Sequence, residues 1–188
     1  MTQSQKIQPR FRRFLFGISL LSLHFLSACG SGGSSAIQPR TPSTSISQAL
    51  SAGEASGSLP IQDRNDTIAG TDADRNGIRD DIDRYINSLP DSEQEKKALR
   101  QDAAAIQATV VEDISNDSIR AKVASNIMKS TSCVGDTYGR PATRGRNRSK
   151  EIEKLTINTP LRRQAYSKFN QAMSGSVTSM PAGDNCIK

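Results

Sequence analysis

Aromatic, histidine and cysteine side chains are all scarce in this 188-residue chain, which has no Trp, one His and three Cys. The shortage deepens beyond the first 28 residues. His24 and four of the five Phe (Phe11, Phe14, Phe16 and Phe25) lie in that opening segment, so only Tyr85, Tyr138, Tyr166 and Phe169 follow. With no later imidazole, the body of the chain excludes a His-dependent triad and a His-ligated zinc, and its rings are too few for a base- or sugar-stacking platform. Acid is absent from the same segment, where Lys6, Arg10, Arg12 and Arg13 stand alone. Without them, 21 Lys+Arg face 19 Asp+Glu, and the formal charge falls from +6 to +2. The basic balance therefore gives no reason to expect a nucleic-acid partner. A phosphate-binding glycine loop, a nucleophile-elbow string and a CxxC pair are missing too. Glu151 and Glu153 are two residues apart and would diverge on a helix. The expectation is a protein that is not an enzyme, with a hydrolase using two distant carboxylates as the alternative.

What the opening segment does contain is order of another kind. Its basic start is followed by an apolar stretch over residues 14–26. That is 13 residues, against the roughly 20 needed to span a bilayer, so it reads as a signal-peptide core. The stretch ends in Leu26-Ser27-Ala28-Cys29-Gly30. This string resembles the lipobox of bacterial lipoproteins, in which the signal is cleaved before a cysteine that carries the acyl chains. The resemblance implies lipidation of Cys29, a cell-envelope location and a membrane anchor; Gly30 in place of Asp favours the outer membrane. An ordinary secretory cut near Ala28 is the plainer alternative. Arg12-Arg13 offers only weak likeness to a twin-arginine signal.

Residues 30–58 hold nine Ser and five Gly, with Arg40 and Glu54 the only charges. No apolar period is sustained there, so residues 29–58 are expected to form a disordered, lipidated tether reaching roughly 30 Å. The folded domain is expected over residues 59–188.

The strongest chemical signal is DADRNGIRDDID at positions 72–83. Calcium prefers six to eight hard oxygen ligands, which a 12-residue loop supplies from positions 1, 3, 5, 7, 9 and 12. Those positions are Asp72, Asp74, Asn76, the Ile78 carbonyl, Asp80 and Asp83, with Gly77 at the sharp sixth position. The string is similar to EF-hand loops and closer to the short calcium repeats of thrombospondin type 3 and dockerin modules. The resemblance implies one structural calcium ion. No helical pattern precedes the loop and it has no second copy, which argues against a calcium-triggered switch. The competing interpretation makes Asp80, Asp81 and Asp83 favourable charges at the start of a helix.

Beyond the loop the apolar period is helical. Ile78, Ile82, Tyr85, Ile86 and Leu89 share a face that Pro90 ends; Asp91 is expected to cap a second helix, with Gln94 completing a capping box. Leu99, Ala103, Ile106, Val110 and Ile114 form its face. A third helix, through Ile119, Val123 and Ile127, is expected to end near Ser130. A short piece carries Ile152 and Leu155, and Thr159-Pro160 opens a last helix with Leu161, Ala165, Phe169, Ala172 and Met173 inward and Gly175 as its stop. The expected fold is all-α, a bundle of four to five helices. Cys133 and Cys186 are expected to form a disulfide in an exported protein, a free thiol pair being the alternative. Residues 134–150 read as a basic loop, where Arg140, Arg144, Arg146, Arg148 and Lys150 could grip an anionic envelope polymer or lipid, or could balance nearby acids. The expected role is an interaction or structural module.

Overall fold

The computed structural model describes residues 45–188; the expected signal segment 1–28, Cys29 and the tether through residue 44 lie outside the described residues. Among the described residues every regular element is a helix: α1 (Ile46–Ala55), α2 (Asp80–Ser88), α3 (Glu93–Val111), α4 (Asp117–Tyr138), α5 (Thr143–Thr156) and α6 (Pro160–Ala172). None is long and apolar enough to cross a membrane.

α3 is the hub, packed against α2, α4, α5 and α6. The core collects Ile82 and Ile86 of α2, Leu99, Ala103 and Ile106 of α3, Cys133 and Val134 of α4, and Ile152 and Leu155 of α5. Except for Cys133 and Val134, which lie beyond the expected end of the third helix, these are apolar residues whose helical spacing marked them for burial, because positions three and four apart share one helix face.

Several boundaries differ from expectation. α1 forms inside the expected tether, because Ser45 accepts from Gln48 N while the Gln48 side chain accepts from Ser45 N. This capping box satisfies backbone donors that the composition argument ignored. α1 nevertheless buries no side chain. The cap of α3 is Ser92, paired reciprocally with Glu95, rather than Asp91 with Gln94. Asp91 is drawn away by three donors described below. α4 continues past Ser130 to Tyr138, and the expected basic loop is mostly the end of α4 and the first half of α5. Only the turn between Tyr138 and Thr143, containing Gly139 and Pro141, is irregular. In α6 the buried residues are Arg162 and Phe169, whereas Leu161 is exposed. Of the expected face, Phe169 is buried and Ala165 and Met173 are half-buried, while Leu161 and Ala172 are exposed; at the start of the helix a guanidinium with enough partners takes the buried place.

Candidate functional site

Residues 59–79 carry no regular structure. Two fully buried arginines hold this segment to the bundle. Arg79 grips Asp81 through both oxygens, at 2.7 and 2.8 Å, and donates to the Leu155 and Thr156 carbonyls at 2.9 and 3.2 Å. Its charge therefore meets the last, electronegative turn of α5. Arg162 donates to the Ile68 and Asp63 carbonyls and to Asn158 Oδ1. Gly70 runs beneath both: at φ +72°, a Cβ there would lie 2.2 Å from Arg79 Cδ and 2.9 Å from Arg162 Nη2. Only glycine tolerates both that backbone and that contact. Asp63 completes the staple. Burial raises its pKa, but bonds from the Asn65 and Thr71 backbone N–H groups and the Arg162 charge outweigh this, holding the carboxyl at about 2. Its own N–H donates to Asp81 Oδ2 at 2.9 Å, linking the two arginine sites.

On this mounting sits the acidic loop. One carboxylate oxygen each from Asp72, Asp74 and Asp80 lies within 4.8 Å of the others. Backbone donors aim them: Asn76 and Gly77 N–H donate to Asp72, and Ala73 N–H donates to Asp80 Oδ1 at 3.0 Å. Asn76 Oδ1 accepts from Ile78 N, while its amide nitrogen donates to Asp74. Arg75 and Gly77 both adopt positive φ, which turns the chain sharply around the cluster. A carboxylate has about four lone-pair sites, so these bonds leave acceptor capacity for a cation. The donor set is all oxygen, suited to a hard ion. Ile78 is buried and plugs the underside. Asp83, the twelfth position, stands apart: its carboxylate accepts from Arg100 Nε at 2.8 Å and ties α2 to α3.

A second polar cluster lies between α3 and α5. Asp91, with its side chain wholly buried, accepts from Tyr138 Oη at 2.7 Å, Arg144 Nη2 at 2.7 Å and Arg148 Nε at 3.0 Å. Burial opposes its ionisation, but the three donors win and lower its pKa. Arg144 also reaches Glu95 at 2.9 Å and lies 5.1 Å from the centre of the Tyr138 ring. Arg148 reaches Glu151, which accepts from Tyr85 Oη at 2.6 Å. Burial and the Glu151 contact push Tyr85 up to about 12. Two of the five basic candidates, Arg144 and Arg148, are thus committed internally; Arg140, Arg146 and Lys150 are exposed.

The Cys133 and Cys186 sulfurs are at bonding distance, with the Cα atoms 4.9 Å apart. Gln101 brackets the same tail, donating to the Asn185 carbonyl and accepting from Ile187 N.

No protein-family model, curated protein or solved structure matches this chain. Chemistry must be argued from its own residues. The spacing of acids marked the loop cluster but missed its mounting, because Arg79 and Arg162 look like ordinary surface charges. One countable signal was available. Residues 45–117 hold seven Lys+Arg against fifteen Asp+Glu, whereas residues 118–188 hold thirteen against four. Such segregation favours ion pairs between the halves, and Asp91 with Arg144 and Arg148 supplies two.

Proposed function

We propose that this protein is a calcium-binding bacterial envelope lipoprotein, anchored through acyl chains on Cys29, whose helical domain acts as a non-enzymatic interaction or structural module. The observation that carries the metal reading is the convergence of Asp72, Asp74 and Asp80 within 4.8 Å, in a loop that also carries Asn76, the Ile78 carbonyl and Asp83 at calcium-ligand offsets. Three carboxylates gathered on two rigid, buried arginine staples repel one another unless a cation lies between them. A bound calcium ion would neutralise that repulsion and fix the segment that precedes α2. Asp83 would join the ligands by giving up Arg100. The lipid reading rests on the sequence alone: the basic start, the apolar stretch 14–26 and the Leu-Ser-Ala-Cys-Gly string that ends it. A Cys133–Cys186 disulfide would suit an exported protein, since such bonds persist in oxidising compartments.

Calorimetry of metal-stripped protein tests the metal. A ligand that binds only the native state stabilises it by RT ln(1 + [L]/Kd), and single extracellular modules bind at about 10⁻⁴–10⁻³ M. Millimolar calcium should therefore add on the order of 1 kcal/mol, a shift in Tm of a few degrees. Asp72→Ala with Asp74→Ala should abolish the shift, and exposed Asp66→Ala should keep it. Magnesium should substitute poorly, since its small octahedral shell resists dehydration. An unchanged Tm in calcium would leave only the helix-start interpretation of the acids. For the anchor, the native protein should take up acyl label and partition into detergent, whereas Cys29→Ala should do neither; equal labelling refutes it.

A further inference from the structure

Six cations crowd the turn before α5 and the helix itself, and the structure divides them. Arg144 and Arg148 face α3 and are neutralised by Asp91, Glu95 and Glu151. Arg146 and Lys150 face solvent, and Lys154 continues their row one turn further on, each four residues from the last. Thr143 and Asn147 are the other exposed residues on this face; the half-buried Glu151 and Glu153 flank it, the first turned to Tyr85 and Arg148 and the second to Tyr166. Among the described residues none of these three cations makes an ion pair. Like charges at this spacing repel along a helix. The start of α5 compounds the excess: Ala142 offers no side-chain cap, the first turn has no acid, and exposed Arg140 precedes it. The positive end of the helix dipole thus adds to a cationic row whose flanking acid, Glu151, also feels Lys154 but is bonded to Arg148 and Tyr85.

We propose that the outer face of α5, through Arg146, Lys150 and Lys154 with Arg140 at its end, docks on the surface of an anionic phospholipid bilayer. The proposal rests on the lipid-anchor reading for the nearness of a bilayer. From Cys29 to Ser45 the chain runs 16 residues, at most about 55 Å when extended. A domain of this size has a radius of gyration of roughly 15 Å, so that length lets any of its faces turn toward the membrane. The face is cationic and carries no large apolar side chain, which suits headgroup contact and not insertion. Each Lys or Arg near an anionic surface strengthens partition about fivefold at physiological salt, so the three together supply a factor of roughly 100.

The test uses the chain from residue 29 onward carrying Cys29→Ala, which removes the cationic signal segment and any acyl contribution, and phosphatidylglycerol-containing vesicles compared with phosphatidylcholine vesicles. Arg146→Gln, Lys150→Gln and Lys154→Gln combined should weaken co-sedimentation with the anionic vesicles about 100-fold and leave the helical circular dichroism unchanged. Raising the salt to about 0.5 M should erase the difference between parent and variant. A fluorophore on Asn147→Cys, in the same Cys29→Ala chain with Cys133 and Cys186 bonded to each other, should be quenched by a headgroup quencher in the anionic vesicles. Equal partition of parent and variant overturns the proposal, as does a bound protein whose label stays unquenched. Binding to a soluble polyanion with none to vesicles also overturns it and assigns the face to an acidic polymer. None of these outcomes depends on whether Cys29 is acylated, so failure here is distinct from failure of the anchor.

Discussion

Among the described residues, two buried polar clusters are built with opposite polarity. Around Arg79 and Arg162 a cation occupies the centre and carboxylates, amides and carbonyls surround it; around Asp91 an anion occupies the centre and two guanidiniums and a phenol surround it. The difference lies in which partners can return to water. Both central arginines are fully buried, so neither can rehydrate if a partner is lost. Arg144, by contrast, keeps 54% of its side chain exposed, and Glu95 and Glu151 remain as second partners for the pair. The loop mounting is therefore brittle, whereas the α3–α5 junction is tolerant.

Substitution should expose that contrast. Asp81→Ala leaves the Arg79 charge buried with only two carbonyls, and breaking such a pair costs about 3–5 kcal/mol. For a domain of this size the Tm should fall by roughly 10 °C or more. Asp91→Ala should cost less, about 1–3 kcal/mol by chemical denaturation, since its arginines reach solvent or their other acids. If the two variants lose equal stability, the contrast is wrong. At the small end, Asp117→Ala removes the exposed i,i+3 partner of Arg120 at the start of α4 and should change stability by no more than about 1 kcal/mol.

Titration sharpens the same contrast with two acids. Asp63 is held at about 2, below its ordinary value near 4. Its contribution to stability is complete above the unfolded pKa and is lost as pH falls from about 4 through 2. Asp102 behaves in reverse. Burial pushes its pKa up, against the Ser130 hydroxyl that donates to Oδ1 at 2.7 Å, and Oδ2 has no partner. The native state then keeps a proton that the unfolded chain releases, so stability declines as pH rises from about 4 through the raised native value. Denaturation curves taken across pH 2–8 should show Asp63→Asn flattening the acid limb and Asp102→Asn flattening the decline above it. A decline that persists in Asp102→Asn would assign it to another group.

How far the fold could be read in advance depended on which side chains fill the interior. Ile82, Ile86, Leu99, Ala103, Ile106 and Ile152 are spaced as helix faces and are buried as such. The acids at 72, 74 and 80 were legible because ligand spacing is itself a sequence pattern. Arg79, Arg162 and Asp102 were not, since an apolar period assigns charged residues to the surface and their partners lie up to 99 residues away. α1 and the first turns of α5 were missed for a related reason. Polar composition reads as irregular chain, while Ser45 with Gln48 supplies a cap that composition does not weigh.

Mechanical load gives the staples a further meaning. If the chain is held to a membrane from its N-terminal side, tension enters the described domain at residue 45 and meets α1 first. α1 is linked onward by the Leu59 N–H bond to the Gly53 carbonyl, the Glu54–Arg64 ion pair and the Gln62 N–H bond to Glu54. These few, partly solvated contacts should yield before the next barrier, where Asn158 and Arg162 hold Gln62 and Asp63. Beyond residue 63 any pull must act on several bonds together, two of them from a buried guanidinium to the Asp63 and Ile68 carbonyls. Under such a load α1 would be a yielding link in series with a stiff mount, extending while the acidic loop and the helices behind it keep their shape.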